Sequence, residues 1–384
     1  MLQVLRDFKV GRPQVLAGLL LLFFLAQCLW ISSARRLSDL EYDYIASGFG
    51  THLEKPITTA SPFTGLAAAA PLRALSAIRG RLPVSLRTWL AIPRPWLIRL
   101  PFVLFGGWLG GALWWVARRL FGNRGGYVAL ALYCVSPAMV KISSNIGPEI
   151  ILAWGTFGLI YTAIGVAHTV YAPPRKWIPR IVILGIAIGV CLSTALWAFT
   201  IVFLAFAFVL YLSPGRRKAA TAVFLSACVI GLMFLAVVGW IVGNSGFTSG
   251  AVITPQVTLE MVRNLGFAFA DSDPFFHLDF VLPALLALGL MAYGSWRRAR
   301  YFGNTAPLIT SFAMVLLFAM IPAIHVWEAA LGLSFAFLFI GGVAADLLET
   351  RYGRTLSFVL CAILALKGVL GVSLLRAWIH QNSM

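Results

Sequence analysis

Residues 178–212 read IPRIVILGIAIGVCLSTALWAFTIVFLAFAFVLYL, and Arg180 is the one charged side chain in this stretch. A helix crosses the hydrocarbon core of a bilayer with about 20 predominantly apolar residues. The run is therefore too long for one crossing, and it predicts two membrane helices divided near Ser193 and Thr194. Paired apolar helices of this kind are typical of a polytopic membrane protein.

The composition of the whole chain agrees with this interpretation. The 384 residues are 60% hydrophobic and 11% charged, whereas soluble domains carry about 25% charged residues. These values exclude a disordered protein, a coiled coil, a disulfide scaffold and an ordinary cytosolic enzyme. All five cysteines fall in apolar runs without the spacing of metal ligands, so we interpret them as packing residues.

Apolar runs of membrane-spanning length recur along the whole chain. We find eleven of them, at 14–33, 100–118, 125–143, 148–171, 178–194, 196–212, 219–242, 279–295, 306–323, 327–348 and 355–375. We therefore expect an all-α polytopic membrane protein with about 11 transmembrane helices, forming a single integral membrane domain over residues 1–384. Two connections are long enough to be outer loops, the first at 34–99 and the second at 243–278.

Basic residues predict the orientation of these helices. With the N-terminus in the cytoplasm, 17 of the 30 Lys and Arg residues cluster in the inner connections, as the positive-inside rule requires. The first run exceeds the 7–15 residues of a signal-peptide core, so we expect an anchor. We predict an integral protein of the cytoplasmic membrane with its C-terminus outside, in contact with membrane lipids. The net charge of +17 thus reflects topology and does not indicate nucleic acid binding.

Acidic residues show the opposite bias, with ten of the 13 at or beyond the outer ends of the predicted helices. A catalytic or cation-binding site on the outer face would explain it, and a divalent cation is one candidate cofactor, although no metal ligand set is evident. The preference of acids for helix N-termini would explain about half of them. Both explanations stay open.

The first outer loop opens with LSDLEYDYIASG at residues 37–48, which predicts a short amphipathic surface helix. Ser38 and Glu41 have the spacing of a capping box, and Gly48 suits the C-terminal stop. Asp39 and Asp43 lie four residues apart on one face, where like charges are unfavourable by a few tenths of a kcal/mol. A catalytic role, a bound cation or a solvated helix would each account for them.

Other polar residues lie near the predicted outer ends of the helices. The candidates for binding a phosphate are Lys141, Arg35, Arg36, Lys55 and Arg99. Glu149 follows Pro148 at a helix start, where an acid is ordinary. It would also face a site on the outer side of the membrane. His325 and Glu328 are three apart and can share a face. Lys367 lies near the middle of a predicted span and is either functional or able to reach the surface.

The chain resembles the GT-C membrane glycosyltransferases of the protein mannosyltransferase and aminoarabinose transferase type, the family 39-like enzymes. The similarity covers roughly residues 14–215. It rests on the acidic segment SDLEYDYIA at 38–46, on SPF at 61–63, on RLPFVLFG at 99–106 and ARRLFG at 117–122, and on SP at 136–137 and GPE at 147–149.

The resemblance implies transfer of a sugar from a polyprenyl-phosphate donor to a lipid, glycan or protein acceptor at the outer face. It implies that an acid of the surface helix deprotonates the acceptor, which by position is Asp39. The usual Asp-Glu pair is Ser38-Asp39 here, so that Glu41 and Asp43 are alternative bases. A protein partner is a further expectation, since acceptor recognition would otherwise rest on the two loops.

Two other functions fit the same sequence. A non-catalytic GT-C-like subunit of a larger complex is favoured by the departure at Ser38. A transporter or flippase of a lipid-linked sugar would need charges along a path through the membrane, and apart from Lys367 the predicted spans lack them.

Overall fold

The computed structural model describes residues 12–50, 61–78, 94–243, 279, 306–314 and 330–383. Within these ranges every regular element is a helix. The helices are α1 (Arg12–Ala34), α2 (Asp39–Gly48), α3 (Pro62–Ile78), α4 (Pro95–Cys134), α5 (Pro137–Ser143), α6 (Pro148–Thr169), α7 (Trp177–Thr194), α8 (Phe199–Leu212), α9 (Arg217–Val242), α10 (Ala330–Leu348) and α11 (Gly353–Ser383).

Seven helices in the described part of the chain are long and apolar enough to cross a membrane, and α4 is one of them. This confirms an all-α polytopic membrane protein. The count of eleven spans stays a prediction, because the run at 279–295 and much of the run at 306–323 lie mainly outside the described residues.

The run at 178–212 divides where the sequence predicts. Helix α7 ends at Thr194, whose hydroxyl donates to the Val190 carbonyl over 2.7 Å. Ala195 is extended, and a single 3-10 turn at Leu196–Ala198 leads into α8. The division arises because the Thr194 hydroxyl and the extended residue after it interrupt the backbone hydrogen bonds of the helix.

Helix α4 is a hairpin whose two limbs, 95–121 and 123–134, meet at Gly122. The backbone of Gly122 has φ +76°, a left-handed conformation that favours glycine. The limbs then run back along each other, and the hydroxyl of Tyr133 donates to the Gly106 carbonyl over 2.7 Å. This reversal separates two of the predicted spans.

The prediction of one continuous helix at 125–143 is wrong, because the structure divides this run between two helices. Helix α4 ends at Cys134, and α5 begins at Pro137 after Ser136, whose hydroxyl accepts the Met139 N–H. Proline lacks an N–H and disfavours helical backbone in the residue before it, so the apolar run breaks there.

Lys367 of α11 forms a buried ion pair with Asp279, with 2.6 Å between Nζ and Oδ1. The other carboxylate oxygen of Asp279 accepts from the Ser136 hydroxyl at 2.7 Å and from the Ala138 N–H at 3.0 Å. The charge of Lys367 is therefore neutralised by Asp279, and these contacts link α11 to the start of α5.

Polar side chains gather at two opposite ends of the bundle. Arg99 and Arg119 lie 20 positions apart on the first limb of α4, a separation of about 30 Å along a helix. We call one region the Glu41 end. It contains Arg35, Glu41, Arg99, Ile146 and Trp378. We call the other the basic end, and it contains Arg119, Arg124, Arg175, Arg180 and Arg216.

Candidate functional site

The surface helix α2 begins as the sequence predicts. Ser38 is extended, its hydroxyl accepts the Glu41 N–H at 3.4 Å, and its own N–H donates to Glu41 Oε2 at 2.9 Å. The capping box is thus confirmed. The predicted stop is displaced, since Gly48 is the last helical residue and the left-handed glycine is Gly50, with φ +72°.

Gly48 instead allows α2 and α3 to approach each other closely. A Cβ atom at Gly48 would lie 2.0 Å from the carbonyl oxygen of Gly65. Arg73 of α3 also donates to the Gly48 carbonyl over 2.6 Å. The two short helices therefore form one rigid unit against the membrane helices.

Glu41 and Arg99 form a buried, bidentate ion pair at the centre of this end. Arg99 Nε donates to Glu41 Oε1 at 2.9 Å, and Arg99 Nη2 donates to Oε2 at 2.6 Å. Arg99 has 0% of its surface exposed and Glu41 has 3%. Removing one member of such a pair leaves an uncompensated buried charge, which typically costs about 3–5 kcal/mol.

The remaining donors and acceptors of this pair bind backbone. Arg99 Nη1 donates to the carbonyls of Ser32 and Arg35, and Nη2 donates to that of Arg36 at 2.8 Å. Glu41 Oε1 also accepts the Ile146 N–H at 3.0 Å. The pair therefore joins the end of α1, the surface helix, the start of α4 and the turn before α6.

The ion pair controls the pKa of the Glu41 carboxyl. Burial alone would raise this pKa, but the hydrogen bonds and charge of Arg99, with the N–H groups of Ser38 and Ile146, lower it below its ordinary value of 4.5. Glu41 is therefore a carboxylate at neutral pH, and each of its oxygens accepts hydrogen bonds.

The other two acids of α2 are available. Asp39 is exposed and Asp43 is partly exposed. Neither forms an ion pair or a hydrogen bond with any of the described residues. The helix thus carries one carboxylate that fixes its position and two that can accept a proton or bind a cation.

Two cations share the ring of Trp378 near this helix. The guanidinium of Arg35 lies 3.9 Å from the ring centroid and the ammonium of Lys141 lies 5.1 Å from it. Arg35 also donates to the side-chain oxygen of Asn145. Lys141 is close enough to Glu149 to act on it electrostatically. These contacts concentrate positive charge beside the turn that Glu41 binds.

The structure brings together most of the residues that the sequence indicates. Asp39, Glu41, Asp43, Arg36, Arg99, Lys141 and Glu149 all lie on elements of the Glu41 end. The side chain of Arg36 is exposed, and its carbonyl accepts from Arg99. The predicted candidates Lys55, His325 and Glu328 lie outside the described residues.

Sequence reasoning missed Asn145 and Trp378 at this site. Asn145 lies in a polar break, Ser143-Ser144-Asn145, between two apolar runs, and that break was an available signal. Trp378 lies beyond the predicted end of the last span, and α11 continues past it to Ser383. No local pattern places it next to Arg35.

An apolar groove of about 660 Å³ lies between α3 and the first limb of α4. Its walls include Phe63, Leu66, Leu100, Phe105 and Trp108. On α4 the groove follows one helix face from Leu97 to Trp108, and Arg99 lies on another face of the same helix. Within the described ranges, no group of three His, Cys, Asp or Glu side chains is arranged to hold a metal ion.

Comparisons with known proteins identify the fold. Residues 84–240 match the family model of the dolichyl-phosphate-mannose-protein mannosyltransferases. No curated protein matches the chain. The chain is similar to ArnT from Cupriavidus metallidurans, with a TM-score of 0.57 and 14% identity, covering 95% of this chain and 75% of ArnT. A structure of that ArnT bound to undecaprenyl phosphate gives a TM-score of 0.56 and 13% identity, covering 95% of this chain and 73% of that chain.

The chain is also similar to the oligosaccharyltransferase AglB from Archaeoglobus fulgidus, determined with an inhibitory peptide and a dolichol-phosphate. That match has a TM-score of 0.52 and 14% identity, and it covers 94% of this chain and 56% of AglB. This chain therefore spans little more than half the length of AglB. The resemblance to the GT-C glycosyltransferases is confirmed at the level of the fold.

Proposed function

We propose that this protein transfers a sugar from a polyprenyl-phosphate donor to an acceptor at the outer face of the cytoplasmic membrane. One observation carries the proposal: the Glu41–Arg99 pair fixes a surface helix whose exposed acid, Asp39, has no partner among the described residues. Such an acid can act as a base where a buried, paired acid cannot.

The family match and the likeness to ArnT support this chemistry, since that ArnT has been determined with undecaprenyl phosphate. The apolar groove between α3 and α4 has an apolar lining that suits the isoprene units of a polyprenyl chain. We assign the phosphate of such a lipid to Arg35 and Lys141, the two cations that share the ring of Trp378 at the Glu41 end.

In this proposal Asp39 removes the proton from the acceptor hydroxyl or amine. The acceptor then attacks the anomeric carbon, the bond between that carbon and the phosphate oxygen breaks, and the phosphate leaves with its charge stabilised by Arg35 and Lys141. Asp43, four residues further along α2, is the alternative base. We assign Glu41 and Arg99 a positioning role, because each one's hydrogen-bonding groups already bind the other and the surrounding backbone.

Glu149 and Arg36 would contribute to binding. Glu149 lies close enough to Lys141 to interact with it electrostatically, and Arg36 projects its exposed side chain from the same segment that Arg99 holds. Lys55, His325 and Glu328 remain candidates from the sequence.

The test is a transfer assay with purified protein, radiolabelled polyprenyl-phosphate sugars and membrane acceptors. Asp39→Asn should lower the rate at least about 100-fold, which is the usual contribution of a general base. Asp43→Asn is the matched control on the same helix face, and it should retain most of the rate.

Loss of sugar transfer in Asp43→Asn but not in Asp39→Asn would identify Asp43 as the base. Labelled product that is unaffected when Asp39, Glu41 and Asp43 are replaced together would refute the site. Folded wild-type protein that makes no product with any donor would favour the non-catalytic subunit.

A further inference from the structure

The cavity at the basic end contains a concentration of positive charge that sugar transfer at the other end does not use. This cavity has a volume of about 880 Å³ and lies between the end of the first limb of α4, the end of α6 and the start of α7. Four cations line it, Arg119, Arg175, Lys176 and Arg180, and no carboxylate lines it among the residues that the structure describes.

The cavity is separate from the Glu41 end. Glu149 is in the first turn of α6 and His168 is in the last, and only His168 lines the cavity. Nineteen positions of one helix correspond to about 28 Å. The cavity and the acids of α2 therefore lie at opposite ends of the same helices.

The walls of the cavity are amphipathic in a way that suits a lipid. Trp115, Leu120 and Ile164 supply apolar surface below the cations. Trp115 is 56% exposed and Leu120 is 42% exposed, so the cavity opens toward the surface that the bilayer covers. A soluble anion would need the charges but would gain nothing from this apolar wall.

Two details indicate a recess built for a ligand. Gly165 has no side chain where the guanidinium of Arg180 approaches, 3.8 Å from the position of a Cβ atom. Tyr161 also lines the cavity, and its buried hydroxyl has no hydrogen-bond partner among the described residues. The hydroxyl and the guanidinium are each donors that a phosphate oxygen can accept from.

We propose that this cavity binds the phosphodiester headgroup of an anionic phospholipid, with its acyl chains along Trp115 and Ile164. Basic recesses between membrane helices on the cytoplasmic side are suited to such headgroups. A bound lipid would hold the start of α7 against α4 and α6, where no carboxylate neutralises the four cations.

The test uses the full chain in detergent, titrated with phosphatidylglycerol or with phosphatidylcholine and observed by native mass spectrometry. Phosphatidylglycerol should bind at least about tenfold more tightly than phosphatidylcholine, since each nearby cation strengthens attraction to an anionic headgroup. Replacing Arg119, Arg175, Lys176 and Arg180 together with glutamine should abolish that preference.

The matched control replaces Arg217, Lys218, Arg351 and Arg354 with glutamine. These four are exposed and lie outside the cavity lining, so the variant removes the same charge and should keep the preference. An equal loss in both variants would show general attraction to a basic surface and overturn the proposal.

A second pair of variants leaves every charge in place. Gly165→Phe would fill the recess, and Gly158→Phe, two turns earlier on α6 and with open space around it, is its control. Only Gly165→Phe should weaken binding of phosphatidylglycerol.

Inorganic phosphate at millimolar concentration should not compete with phosphatidylglycerol for the cavity. Full competition would mean that the cavity binds a soluble phosphate, and it would overturn the proposal of a lipid ligand.

Discussion

The two ends of this helical bundle use arginine in opposite ways. At the Glu41 end, Arg99 is fully buried, and Glu41 and three backbone carbonyls accept its hydrogen bonds. At the basic end, Arg119, Arg175 and Arg180 are exposed around a cavity whose described lining includes no carboxylate. The same residue type is therefore structural where it is paired and buried, and available to ligands where it is not.

The residues that hold the surface helix in place therefore differ from the residue that we propose reacts with the acceptor. The buried pair holds the surface helix in place and leaves Asp39 exposed on it. The cations that line the cavity of the basic end have no ion-pair partner among the described residues. Substitutions at the two ends should therefore differ in kind, with loss of stability at the Glu41 end and loss of lipid binding at the basic end.

The largest effect should come from breaking the buried pair. Arg99→Leu leaves the Glu41 carboxylate buried and alone, and we expect it to destabilise the fold by about 3–5 kcal/mol. Arg119→Leu at the basic end is the control and should cost less than about 1 kcal/mol. Thermal unfolding of both variants in detergent measures the difference.

A double variant sharpens this prediction. Glu41→Leu combined with Arg99→Leu removes both charges, so it should recover part of the stability that either single variant loses. Additive losses in the double variant would mean that the two side chains do not stabilise each other.

The close contact of α2 with α3 should give the next largest effect. Gly48→Ala places a methyl group against the Gly65 carbonyl and should cost about 1–3 kcal/mol. Gly18→Ala in α1 has open space around it and should be neutral or stabilising. A comparison of unfolding temperatures tests this, and equal shifts would contradict the contact.

The pH dependence of stability should reveal the ionised Glu41. Its pKa is lowered in the folded protein, so the folded state binds fewer protons than the unfolded state near and below pH 4.5. The stabilisation is complete above the ordinary pKa and is lost as the pH falls through the folded value, by at most about 1.4 kcal/mol per pH unit.

Unfolding of the wild type and of Glu41→Gln at pH 7, 5 and 4 measures this loss. The variant should be less stable at pH 7 and should depend less on pH between 5 and 4. Parallel curves for the two proteins would assign the acid sensitivity to other carboxyl groups.

The smallest effect concerns Trp378, which lies against Arg35 and Lys141. Trp378→Leu keeps an apolar side chain but removes the aromatic face, so it should cost about 0.5–2 kcal/mol. If these cations hold the donor phosphate, the variant should raise KM for the donor more than it lowers kcat. An unchanged KM would mean that the ring of Trp378 does not contribute to binding of the donor.

The sequence predicts the parts of this molecule that depend on local patterns. The division of residues 178–212 follows from the apolar length, and the capping box at Ser38 follows from a spacing of three residues. The resemblance to the GT-C glycosyltransferases correctly indicates the fold. Each of these signals lies within a short window of the chain.

What the sequence does not predict depends on distant contacts. Glu41 and Arg99 are 58 residues apart, and the sequence indicates both as ligand-binding or catalytic candidates because it does not show that they bind each other. Gly48 likewise looks like a helix stop, whereas its role is contact with Gly65. The break at Ser136 was missed because the apolar run continues through it, although Pro137 was an available signal.

The most direct test of the central claim compares one carboxylate at each end of the bundle in the sugar-transfer assay. Asp39→Asn and Asp346→Asn make the same chemical change, the second in α10 near the basic end. We predict that Asp39→Asn folds normally and loses transfer at least about 100-fold, while Asp346→Asn transfers at the wild-type rate. Equal rates in the two variants would contradict the account.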